Sequence, residues 1–129
     1  MPVTCEIDAE SGIVHTAIQG RVRTQELVTA LEAVIRRPDF RSGLNGIVDL
    51  REGGVADLHT REVKWLVDLM ERHRDQIGPS RTAIVVSTDV DYGLARMYQA
   101  YAESTSIETN IFRDLEDARR WLATSGNKP

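Results

Sequence analysis

The sequence predicts an α/β domain in which a mixed β-sheet, an N-terminal antiparallel hairpin followed by parallel strands, is covered by about four helices. Three observations predict it. The chain opens with two alternating segments, Val3 to Asp8 and Ile13 to Gln19, joined by the Gly-terminated loop AESG. Two short runs with little alternation follow, Leu44 to Leu50 and Thr82 to Val86, as expected for central parallel strands covered by helices. The segments between and after them carry apolar residues at helical spacing. A length of 129 residues fits one core, which we place at residues 1–124, with the polar stretch SGNKP at 125–129 as a tail.

The elements follow in order. Thr24 is expected to cap a first helix that places Leu27, Val28, Leu31, Val34 and Ile35 on one face, and Arg36, Arg37 and Pro38 suit its end. A second helix from about Thr60 to Arg74 completes a right-handed crossover between the two central strands, with Gly78, Pro79 and Ser80 as its exit turn. The fourth strand ends in Ser87, Thr88 and Asp89 and feeds the amphipathic segment YGLARMYQAYAE. Asp91 is expected to cap that helix, and Leu94, Met97, Tyr98 and Tyr101 to form its core side. A last strand, Glu108 to Phe112, precedes a helix capped by Asp114, with Asp117 as the reciprocal partner of a capping box. Leu115, Ala118, Trp121 and Leu122 form its apolar side.

Composition narrows the function classes. Hydrophobic residues at 41% and charged residues at 28% are those of a globular chain and argue against disorder. A formal net charge of −4 argues against nucleic-acid binding through a broad basic face, and the pair Arg36–Arg37 is only local. The start MPVTCEID lacks the layout of a signal peptide, and no apolar run approaches the ~20 residues of a membrane span, so a cytoplasmic protein is expected. Cys5 is alone, which leaves no disulfide or thiol pair, and its alternation with Val3 and Ile7 makes it a packing residue.

The strand and helix order, the phrase IVDLR closing the third strand, YGLARMYQAYAE after the fourth and IFRDLEDARRWL at the end together resemble the small bacterial SpoIIAA-like proteins. These belong to the wider STAS-type group that includes anti-sigma-factor antagonists. The resemblance covers nearly the whole chain and implies a non-enzymatic regulatory module acting through protein–protein contacts. Regulatory members carry a D-x-S-G motif where the third strand meets the next helix, and its hydroxyl is phosphorylated to switch a kinase partner. The corresponding region here reads VDLREGGVADLHTREV, without that motif. Its nearest hydroxyl, Thr60, reads first as an N-cap and only second as a phosphoacceptor.

No nucleophile elbow, Walker loop, dinucleotide turn or H-E-x-x-H pair occurs, and no cofactor is expected. His15, His59 and His73 are scattered, without metal-ligand spacing. Gly53–Gly54 reads either as a flexible turn or as backbone that approaches an anion. What remains is geometric. In open α/β sheets ligands sit beyond the carboxyl ends of parallel strands, where Asp49, Arg51, Ser87, Thr88, Tyr92 and Arg96 fall, with His59 and Thr60 at the neighbouring helix start. Arg96, one turn after Tyr92, suits either a bound anion or a salt bridge to Asp49. In the second helix Val63, Leu66, Val67 and Met70 form a stripe about 100° wide, while Trp65 and Leu69 fall outside it as an expected self-association surface. The favoured function is a non-enzymatic binding or regulatory module acting through protein–protein contacts, with a protein partner or a second copy of the chain. The alternative is a binder of a small anionic or apolar ligand, or a minor enzyme, at the strand-end edge, with Arg96 holding an anion and His59 or Asp49 moving a proton.

Overall fold

In the computed structural model, which describes residues 2–124, the alternation of the first twenty residues becomes a hairpin. The chain runs β1 (Val3–Asp8), β2 (Ile13–Ile18), β3 (Gly20–Val22), α1 (Thr24–Ile35), β4 (Asn45–Asp49) and β5 (Gly53–Val55). It continues through α2 (Thr60–Arg72), α3 (Arg74–Ile77), β6 (Ser80–Val85), α4 (Asp89–Tyr101), a 3-10 turn at Ala102–Ser104, β7 (Ile107–Phe112) and α5 (Leu115–Ala123). β1 and β2 pair antiparallel. At their turn Gly12 adopts φ +72°, a conformation that disfavours a Cβ, and its N–H donates to the Asp8 carbonyl at 2.9 Å. The expected tail at 125–129 lies outside the described residues.

The main sheet has the order β1-β2-β4-β6-β7, parallel from β2 onward. The expected mixed sheet is therefore present. Among the described residues its helical cover comprises five helices, because a short turn of helix, α3, follows α2. A feature not expected from the sequence is the two-stranded parallel ribbon β3–β5. Gly53 is required there: a Cβ on it would collide with the Gly20 backbone and stand 2.7 Å from the Ile18 carbonyl oxygen. The Gly53–Gly54 pair is thus strand, neither a loose turn nor an anion loop.

Side-chain alternation divides the sheet into two unlike faces. On one, Ile13, Ile47, Ala83 and Val85 pack against Ala118 and Leu122 of α5. On the other, Val14, Ile18 and Ile84 belong to three separate apolar clusters, completed by α1, α2, α3 and α4. No helix among the described residues is long and apolar enough to cross a membrane.

The helix starts correct four expectations. Thr24 is the first residue of α1 and Arg23 holds the cap position, with Glu26 Oε1 accepting the Arg23 N–H at 2.8 Å. Thr24 is buried, and its N–H and hydroxyl both donate to Asp57 Oδ1, at 2.7 and 2.8 Å. A carboxylate from the far side of β5 therefore supplies the capping that the local sequence does not. At α2 the cap position is His59, not Thr60, and Glu62 Oε1 accepts the His59 N–H at 3.1 Å. At α4 the cap is Thr88, whose hydroxyl accepts the Asp91 N–H at 3.1 Å, so Asp91 is capped and does not itself cap. Asp114 caps α5 as expected, accepting the Glu116 N–H, but Asp117 closes no box and accepts from Arg120 at 3.0 Å.

Leu69 requires a further correction. It is fully buried, in the cluster with Ile18, Val22, Leu27 and Leu66, and the half-buried Trp65 packs against the same cluster. The reason is that α2 is covered by α4 and α1 as well as lying over the sheet side, so its buried arc is rotated toward Leu69 and away from Val67. Leu69→Ala should accordingly destabilise the fold by about 2–5 kcal/mol, measured by urea unfolding.

The Thr24 backbone and hydroxyl bonds, with Arg23 nearby, hold the Asp57 carboxyl below the usual carboxylate range. A depressed carboxyl contributes stability above its unfolded pKa, near 4, and loses it as pH falls through the lower folded value. Asp57→Asn should therefore melt below the wild type at pH 7. The gap between the two melting temperatures should shrink as the pH is taken below about 4.

Candidate functional site

The strand-end edge is built by the last residues of β4 and the turn after β6. Asp49 ends β4, and Arg51, two residues on, folds back to it. Its Nε donates to Asp49 Oδ1 at 2.9 Å, its Nη2 to Oδ2 at 2.8 Å and its backbone N–H to Oδ1 at 3.0 Å. These bonds hold the Asp49 carboxyl below its ordinary value in spite of its burial. Asp49 is thus already engaged. Ser87, exposed at the end of β6, donates its hydroxyl to the Arg51 carbonyl at 3.4 Å, which ties the two loops together.

The other predicted residues do not join this group. Arg113 lies over the Tyr92 ring, 4.9 Å from its centroid, and pairs with Asp89 at 2.8 Å. Arg96 is exposed, and among the described residues it has no hydrogen bond or ion pair. The bridge from Arg96 to Asp49, one of the two roles the sequence offered Arg96, is absent among the described residues because Arg51, much closer in sequence, takes both carboxylate oxygens. His59 is exposed at the cap of α2, and the exposed Thr60 turns its hydroxyl to Met97 Sδ at 3.7 Å. The eight predicted residues therefore form three small local clusters around an isolated arginine. No ion pair or hydrogen bond between side chains links the clusters among the described residues.

Elsewhere, His15 points to the α5 side of the sheet, where Arg119 Nη2 lies 3.1 Å from its Nε2. Burial and then Arg119 push its pKa down, against the pull of Asp49, Glu6 and Asp8. His73 bonds locally, Nδ1 to Gln76 Oε1 at 2.8 Å. Cys5 is half-buried 3.5 Å from Thr16 Oγ1, and burial pushes its thiol up. No group of three metal-ligating side chains occurs among the described residues.

What the sequence did not disclose is a cavity of about 170 Å³ between the sheet and the α1, α2 and α4 layer. Val14, Val48 and Ile84 line it from the strands, and Leu31, Leu66 and Tyr98 from the helices. It exists because small or polar residues stand at the middle of a helix-covered face: Gly46 on β4 and Thr82 beside it on β6, in register with each other. A Cβ on Gly46 would be 3.4 Å from Thr82 Oγ1. Those two residues, in runs otherwise rich in Ile and Val, are the signal a closer reading could have used. Burial pushes the Tyr98 phenol up to about 12, so it stays neutral at physiological pH. Asp91, only 8% exposed, is the one carboxylate in the lining.

This order of strands and helices is a SpoIIAA-like fold. A solved structure with it, an uncharacterised DUF3478-family protein from Shewanella loihica PV-4, matches at TM-score 0.60 over 93% of this chain and 91% of that one, with 17% identity. At that identity the likeness establishes the fold alone. No protein-family model and no curated protein matches the sequence.

The isolation of Arg96 has a measurable consequence. Arg96→Ala should change unfolding free energy by no more than about 0.5 kcal/mol, as for a surface residue without partners. A larger loss in denaturant titration would mean that it holds a bridge after all.

Proposed function

We propose that the protein is a non-enzymatic binding module whose occupant is a small, largely apolar molecule held between the sheet and α1, α2 and α4. The observation that carries this reading is the cavity itself, about 170 Å³ and lined mainly by aliphatic side chains. An apolar cavity near 150 Å³ is enough to take up benzene, and ligand sites in general are concave and mostly apolar with few polar groups. Transfer of an apolar ligand from water would supply the affinity, in proportion to the surface it buries.

Two other readings have less support. A proton-transferring site at the strand-end edge requires His59, Asp49 and Arg96 to converge, and Asp49 is instead taken by Arg51. A self-association surface on α2 requires Leu69 to be exposed, and it is buried.

Ethylbenzene is a suitable probe because it carries no head group. At a free concentration a hundredfold above Kd it should stabilise the protein by about 2.7 kcal/mol, seen as a rise in melting temperature. Val48→Phe, which puts a ring into the cavity from β4, should remain folded and lose the response. Equal stabilisation of both proteins would place the probe elsewhere, and no response from the wild type up to the solubility limit would refute the reading.

A further inference from the structure

The cavity has one charged group in its wall, and that group is out of keeping with the rest of the molecule. Four helices carry an acid at their third residue: Glu26 in α1, Glu62 in α2, Asp91 in α4 and Asp117 in α5. Glu26 and Glu62 return to the backbone N–H of their cap residues, and Asp117 accepts from Arg120. Asp91 does neither. Its carboxylate oxygens have no hydrogen-bond or ion-pair partner among the described residues, although the residue is more than nine-tenths buried and lines the cavity.

A carboxylate this shielded, without a protein partner, loses part of its hydration at a cost, although its oxygens are not sealed from solvent: among the described residues the fully buried, unpartnered side-chain atoms are Glu71 Oε2 and Thr109 Oγ1. The positive end of α4 offsets part of that cost. A cation close by is Arg21 of β3, which pairs with Gly54 in the ribbon. A Cβ built on Gly54 would stand 2.8 Å from Arg21 Nη1 and 3.5 and 3.6 Å from the two Asp91 oxygens. Arg21 is nonetheless exposed and forms no ion pair with Asp91 within 4.0 Å. The carboxylate therefore sits at the ribbon end of the cavity with acceptor capacity to spare. Seven residues further along α4, about 10 Å away along the helix axis, the neutral Tyr98 marks the other end of the same wall.

Resting on the cavity-binding reading, we infer that the ligand is an amphiphile whose apolar body fills the cavity and whose head is a cationic hydrogen-bond donor, as in a primary amine, bound to the Asp91 carboxylate. An ammonium would give those oxygens a charge-assisted bond, which is stronger than a neutral one. An alcohol would do so more weakly. A carboxylate head would meet a like charge in a site of low dielectric and be excluded.

The test uses the intact protein and four probes of similar girth: n-hexylamine, n-hexanol, hexanoate and the headless ethylbenzene, each titrated by NMR chemical-shift perturbation at neutral pH. Wild type should bind in the order hexylamine, hexanol, hexanoate, with about a tenfold gap between the first and the last, of the size expected from a charge-assisted bond. Asp91→Asn should bring hexylamine down to the hexanol level and leave ethylbenzene unchanged. Asp91→Ser serves if the Asn variant does not fold, and the wild-type order is decisive without either. Hexanoate binding as well as hexylamine, or a preference for amine that survives Asp91→Asn, would overturn the inference and assign Asp91 to Arg21 as a purely structural pair. If ethylbenzene binds and the heads make no difference, the inference fails while the cavity reading stands. If none of the four binds, both fail.

Discussion

The attachment of the α1, α2 and α4 layer to the sheet governs most of what is particular to this protein. On the α5 side one continuous cluster around Ile47 and Val85 joins helix to strands. On the opposite side the apolar contacts divide into three clusters, one around Ile18 and Leu69, one around Val14 and Ile77, one around Ile84 and Val86. A seam made of separate contacts holds the helices at the rim and leaves the middle open. The cavity lies where residues of all three clusters face one another across Gly46 and Thr82. Asp57 secures the same layer from outside, since its bonds to Thr24 fix the start of α1 against the loop that leads into α2.

The sheet was legible in the sequence because its signals are local. Alternation in Val3–Asp8 and Ile13–Ile18 gives the hairpin, and the short runs with little alternation, Leu44 to Leu50 and Thr82 to Val86, give the central parallel strands. The ribbon β3–β5 was not legible for the opposite reason. Each of its strands is three residues long, both begin with Gly, and the pairing joins positions that are more than thirty residues apart, so no window of sequence contains it. The capping errors share that origin. Thr24 and Thr60 were the natural local caps, yet a tertiary partner, Asp57, and a neighbouring helix residue, Met97, engaged their hydroxyls instead.

Site prediction failed through a related simplification. Placing Asp49, Arg51, Tyr92 and Arg96 at one edge of the sheet was topologically sound, but an edge is several side chains wide and each charged group takes the nearest partner. Arg51 reaches Asp49 with little loss of chain entropy because only one residue separates them, whereas Arg96 would have had to cross from another element. The error at Leu69 was one of partner count. A 100° stripe assumes a helix lying on a single surface; α2 has α4 and α1 beside it, and the buried arc shifts accordingly.

The cavity also bears on how the fold spends its stability. The space is partly open to solvent and is no sealed void, so what it costs the fold is the side-chain contact that α1, α2 and α4 forgo across the middle of the sheet. The open space and the unpartnered Asp91 carboxylate meet on one wall of α4, and sites at which a fold departs from its own best packing are where function is expected to lie.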